Sequence, residues 1–145
     1  MIANFCVAQW NVGEYVNERG KPTGDIFLYQ EITGTYTPNS NNILTCDYLI
    51  EHDFKSKVFG VTIYPKSKTV KEFWKEDTFQ WVCIEKPSGE IVNIEAFCFD
   101  GMIFFSEDEY DELKSALDEE GEYSVFMAYE ARNQNLDYKF NFTNK

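Results

Sequence analysis

The chain has 145 residues, 43% of them hydrophobic and 17% aromatic, which gives one globular domain with its own core and excludes a disordered polymer. Twenty-five acids against thirteen Lys and Arg leave a net charge of −12 at pH 7, so direct contact with nucleic acid or with an anionic membrane surface is disfavoured. The excess is lopsided: residues 1–72 hold eight acids and seven bases, whereas 73–145 hold seventeen acids and six bases.

Taken in order, Ile2 to Trp10 reads as a strand, and Gly13 to Gly24 as a polar loop punctuated by Gly20, Pro22 and Gly24. Asp25 to Tyr36 alternates, with Ile26, Leu28 and Ile32 on one face and Phe27, Tyr29 and Glu31 on the other. A turn cluster at 37–42 leads to strands at Ile43–Ile50 and Val58–Tyr64, with Gly60 expected to mark a bulge. Thr69 with Glu72 predicts a cap for a short helix near 69–75 carrying Val70, Phe73 and Trp74. Strands then follow at Thr78–Lys86 and Glu90–Phe99, joined through Pro87-Ser88-Gly89, and Asp100-Gly101 turns into Met102–Phe105. Glu122–Ala131 and Leu136–Phe142 close the chain as a hairpin. The fold class expected is therefore α+β: a mostly antiparallel sheet of about eight strands in a single domain, one clear acidic amphipathic helix at about 107–120, and the short helix near 69–75.

The helix at 107–120 carries the densest charge. Ser106 with Glu109 has the spacing of a capping box, Gly121 stands where a terminating glycine would, and Tyr110, Leu113 and Leu117 share one face. At ~100° per residue, Glu107, Asp108, Asp111, Glu112, Asp118 and Glu119 share the other. Local stability alone would not select this arrangement. Glu107/Asp111 and Asp108/Glu112 are like-charge pairs four apart, and the last acids sit at the negative end of the helix dipole.

Catalytic chemistry has no signature in this chain. Nucleotide-binding glycine loops and the nucleophile elbow are missing, and the acids of 107–120 lack the order of a calcium loop. Cys6, Cys46, Cys83 and Cys98 are too far apart for a zinc site, and Met1-Ile2-Ala3-Asn4-Phe5 has no basic leader, so four thiols in a reducing cytoplasm are expected. His52, between Glu51 and Asp53, reads as a surface histidine in a polar turn. Neither metal nor cofactor is called for.

The functional expectation is a small acidic non-enzymatic binding or inhibitor protein. It would block a basic site on a partner macromolecule, such as a nuclease or another nucleic-acid-handling enzyme, in the manner of a toxin-immunity or phage anti-defence protein and by nucleic-acid mimicry. Glu107, Asp108, Asp111, Glu112, Asp118 and Glu119 are the partner-binding candidates. Lys55, Lys57, Lys66, Lys68 and Lys71, a run without an acid, form a secondary candidate patch that otherwise reads as a solvated strand edge. Two other classes compete: a small-ligand binder or minor enzyme with a pocket built from Trp10, Tyr29, Trp74 and Trp81, and a subunit that self-associates through the edge of Leu136–Phe142.

Overall fold

The computed structural model describes residues 10–37, 43–64, 78–99, 101–131 and 134–144. Among them are nine strands and one helix: β1 (Asn11–Val16), β2 (Pro22–Thr37), β3 (Leu44–Asp53), β4 (Val58–Tyr64), β5 (Thr78–Glu85), β6 (Ile91–Phe99), β7 (Met102–Ser106), α1 (Asp108–Ala116), β8 (Gly121–Ala131) and β9 (Gln134–Asn144). The strands pair in the order β1-β2-β3-β4-β7-β6-β5-β8-β9, and β9 returns to β2. The result is a closed eight-stranded antiparallel barrel of β2 to β9, with β1 hung on its outside. This corrects the α+β expectation: strand accounts for 71% and helix for 8%, so the fold is mostly β. The predicted helix at 69–75 lies outside the described residues, as does the strand expected over Ile2 to Trp10 except for Trp10 itself.

Closure depends on β2. Its first half pairs with β1 and its second half with β9 on the same side, while β3 runs along the other. The handover is possible because Gly34 has no side chain. A Cβ there would meet the Lys139 carbonyl at 2.5 Å, the Tyr48 ring at 2.6 Å and Phe140 Cβ at 2.9 Å, and Thr35 pairs with Lys139 in the next position. Beyond this point the seam is held by side chains. Gln30 Nε2 donates to the Thr143 carbonyl at 2.7 Å, and the Trp10 indole donates to Asn144 Oδ1 at 3.3 Å. Gly13 to Gly24, expected as a loop, instead supplies β1, a tight turn at 17–21 and the start of β2, because β1 borrows its pairing from β2 rather than from local hydrophobic alternation.

Period-2 alternation does the rest. Ile50, Val61, Val82, Ile94, Ile103, Val125, Tyr138 and Phe140 point inward and are buried. The cavity among Phe59, Val61, Val82, Ile103, Val125 and Phe140 is about 10 Å³, room for one water at most, so the core there is closely packed. α1 lies across one end and puts Tyr110, Leu113 and Ala116 into the core. The β3–β4 ladder and the β4–β7 ladder both run through Gly60 without a register shift, so the expected bulge is not there. Among the described residues no helix is long and apolar enough to cross a membrane.

Candidate functional site

The helix that forms is shorter than the charge pattern implies, and the reason lies at both ends. The capping box of Ser106 and Glu109 is not made. The N-cap is Glu107, with φ 55° and no side-chain hydrogen bond to the first turn. Three acids in that turn, Asp108, Glu109 and Asp111, still face the positive end of the dipole. At the other end Leu117 leaves helical geometry, its amide shared between the Leu113 and Lys114 carbonyls at 3.0 and 3.2 Å. The freed carbonyls are taken by the barrel: Tyr123 Oη lies 3.0 Å from the Ala116 carbonyl, and Asn144 Nδ2 donates to the Leu117 carbonyl at 3.1 Å. Ala116 therefore replaces Leu117 as the third buried anchor, with Leu117 half-buried against the core, and Gly121 opens β8 with φ 132° instead of terminating the helix.

This break splits the six carboxylates. Glu107, Asp108, Asp111 and Glu112 are exposed on α1, and none of them forms an ion pair among the described residues. Asp118 and Glu119 lie beyond the helix and converge on the ammonium of Lys86, at 2.7 and 3.0 Å, with Glu90 at 3.2 Å. Only 7% of the Lys86 side chain is exposed. Its hydrogen bonds to Asp118 and Glu119 hold its pKa well above the usual lysine value, and the same bonds hold the two carboxyls below the usual range. Glu119 also accepts from the Ser88 amide and hydroxyl, both at 3.0 Å. Composition alone would not separate these two acids from the other four.

His52 is not a surface residue. It is 5% exposed at the barrel end, with Nε2 2.9 Å from Tyr110 Oη and its ring packed on Phe54, Phe59 and Trp10. Burial, helped by the positive charge of Lys114, lowers its pKa to about 4, so it is neutral at pH 7. Cys46 is buried on the same strand six residues away, roughly 20 Å along β3, too far for a thiolate–imidazole pair. Cys46, Cys83 and Cys98 are free thiols, and burial raises the pKa of Cys46 and Cys98, which disfavours the reactive thiolate. No group of acids, histidines or cysteines suited to a metal occurs among the described residues.

Lys55 and Lys57 occupy the β3–β4 turn, not a strand edge, and Lys55 pairs with Asp25 at 2.6 Å. Lys66, Lys68 and Lys71 lie outside the described residues, as does Trp74. The remaining aromatic candidates do not converge. Trp10 caps the barrel end, Tyr29 is half-buried, and Trp81 is 63% exposed on the outer wall. β9 pairs with β8 along its length and with β2 over Asp137–Lys139, so Leu136–Phe142 is not a free sheet edge.

The outer wall holds what the sequence reading missed. Ladder partners Tyr29, Glu51, Gly60, Phe104, Phe97 and Phe79 make one transverse row over six strands. Phe79 and Phe97 touch, with ring centroids 5.3 Å apart, and Phe79 is 55% exposed. The signal was available as the outward phase of each strand, but the phase became legible only with the registers. Over the Glu51–Gly60–Phe104 part of this row, the β1–β2 hairpin leaves a groove of about 490 Å³ lined by Tyr15, Asp25, Glu51, Asp53, Gly60 and Phe104 among others. Comparison with family models, with curated proteins and with solved structures gives no match for this chain.

Proposed function

We propose that this is a non-enzymatic binding protein that covers a basic site on another macromolecule, with a nucleic-acid-handling enzyme as the best-fitting partner. The observation that carries this reading is the free acidic surface of α1: Glu107, Asp108, Asp111 and Glu112, presented at one end of a rigid barrel by a helix anchored through Tyr110 and Leu113. The four carboxylates fall within ~7.5 Å of helix rise, from Glu107 to Glu112, a dense patch of negative charge such as a phosphate-binding site would meet on a nucleic-acid strand. The cavity of about 10 Å³ inside the barrel is too small for a ligand, which supports binding on the outside. Asp118 and Glu119 are left out of the proposed surface because both are tied to Lys86 inside the fold, although its single positive charge offsets only one of them.

The test is a calorimetric titration against a panel of purified basic nucleases, at low and at moderate salt. A complex whose affinity falls steeply with salt, and which is lost in the variant Asp108→Lys, Asp111→Lys, Glu112→Lys, is the expected result. Undiminished binding by that variant, with its fold intact, would remove α1 from the interface.

A further inference from the structure

Gly60 has no structural reason to be glycine. Its φ is not positive, its strand runs in register with both neighbours, and a Cβ would meet only the Phe104 ring at 3.6 Å and the Ile103 carbonyl at 4.0 Å, ordinary contacts. A glycine inside a strand costs about 0.5–1 kcal/mol relative to alanine. A strand glycine often marks a bulge, a tight bend, or close approach by another backbone or a ligand; here the ladders show no bulge and the nearest backbone atom is 4.0 Å from the Cβ position, which leaves room for a ligand. Gly60 lies on the floor of the 490 Å³ groove, directly between its ladder partners Glu51 on β3 and Phe104 on β7. Carboxylate, bare backbone and phenyl ring therefore stand side by side on one outer face.

The groove's charge fixes the sign of its occupant. Asp25, Glu51 and Asp53 face a single ammonium, Lys55, which is already bound to Asp25. Asp53 accepts from Tyr15 Oη at 2.8 Å and from the Ser56 amide at 2.9 Å, which ties the hairpin to the barrel and uses up that carboxylate. Glu51 has no ion-pair partner among the described residues. We infer that the groove under the β1–β2 hairpin is a docking slot for an arginine side chain of a protein partner, its guanidinium lying over Gly60, against the Phe104 ring and paired with Glu51. A planar cation suits this row better than an ammonium: it stacks on the ring and offers a fork of donors to the carboxylate. The slot is separate from α1 and does not depend on the helix being an interface.

The probe is the capped peptide acetyl-Gly-Arg-Gly-amide, titrated into the 15N-labelled full chain, with its citrulline counterpart as the uncharged isostere. Saturable amide shifts are expected at Gly60, Thr62, Met102 and Tyr15, with the citrulline peptide at least about tenfold weaker, one factor of ten per ~1.4 kcal/mol of lost charge pairing. Glu51→Gln should weaken the arginine peptide to the citrulline level. Gly60→Leu, which fills the slot, should abolish the shifts while the rest of the spectrum stays native. The α1 triple-lysine variant should bind the peptide as the wild type does, which keeps the outcome distinct from that of the helix test. Equal binding of both peptides, shifts centred elsewhere, or full binding by Glu51→Gln would overturn the slot.

Discussion

Four of the carboxylates on α1 and its N-cap, and two just beyond the helix, are one charge run in sequence and two different things in space. Glu107, Asp108, Asp111 and Glu112 look outward from a helix and answer to solvent alone. Asp118 and Glu119 turn back onto Lys86 and pin the segment after the helix to the β5–β6 turn. The difference is made by Tyr123 and Asn144, whose polar groups take the helix's last carbonyls and end it early. A charge cluster therefore becomes a candidate interface only after the ion pairs inside the fold have been subtracted.

That contrast can be broken from the core outward. Leu113→Ala, beneath both halves, empties a site that is 2% exposed and should cost ~2–5 kcal/mol in urea denaturation. A loss below about 1 kcal/mol would mean that α1 is not anchored as described. Next is His52, which supports α1 through Tyr110. Its pKa is lowered to about 4 in the fold, so between pH 6.5 and 4 the unfolded chain binds the extra proton and stability falls as pH falls. The loss amounts to at most on the order of 3 kcal/mol. His52→Gln should flatten the urea midpoint between pH 7 and 5. Asp53, Asp118 and Glu119 lose their stabilisation only as pH falls from the ordinary carboxyl values, about 4, toward their lower folded ones, so between pH 7 and 5 the change is dominated by His52.

How far the sequence carried these conclusions depended on the range of the interaction. The hairpin turns at Pro87-Ser88-Gly89 and before Met102 were legible because turn chemistry is local. Strand positions from β2 to β9 followed from alternation, with ends shifted by a few residues. Closure was not legible, since Thr35 and Lys139 meet from opposite ends of the chain and only Gly34 hints at the crossing. His52 and Lys86 were not legible either: each sits in a polar stretch and is buried by elements far away in sequence. The anchors Tyr110 and Leu113 were legible from helical period, but the four free acids could not be sorted from the two bound ones without Lys86.

Two smaller effects separate the halves directly. Lys86→Met should lower the thermal midpoint and make it rise with added salt, because Asp118, Glu119 and Glu90 are left facing one another. Asp108→Asn, Asp111→Asn and Glu112→Gln together should change stability by no more than about 0.5 kcal/mol, or raise it slightly as like charges disappear. If the triple neutral variant is the more damaging of the two, the assignment of structural and free halves is reversed.

The most direct measurement of the proposed docking role is the salt dependence of a purified complex. Partners captured at low salt are identified and purified, and their dissociation constants are measured at about 50 and 300 mM salt for the wild type and for the Asp108→Lys, Asp111→Lys, Glu112→Lys variant. The expectation is a wild-type affinity that weakens by at least about tenfold across that range and a variant that does not bind at either salt. A complex indifferent to salt, or one that the folded variant forms as well as the wild type, would contradict an acidic docking surface on α1.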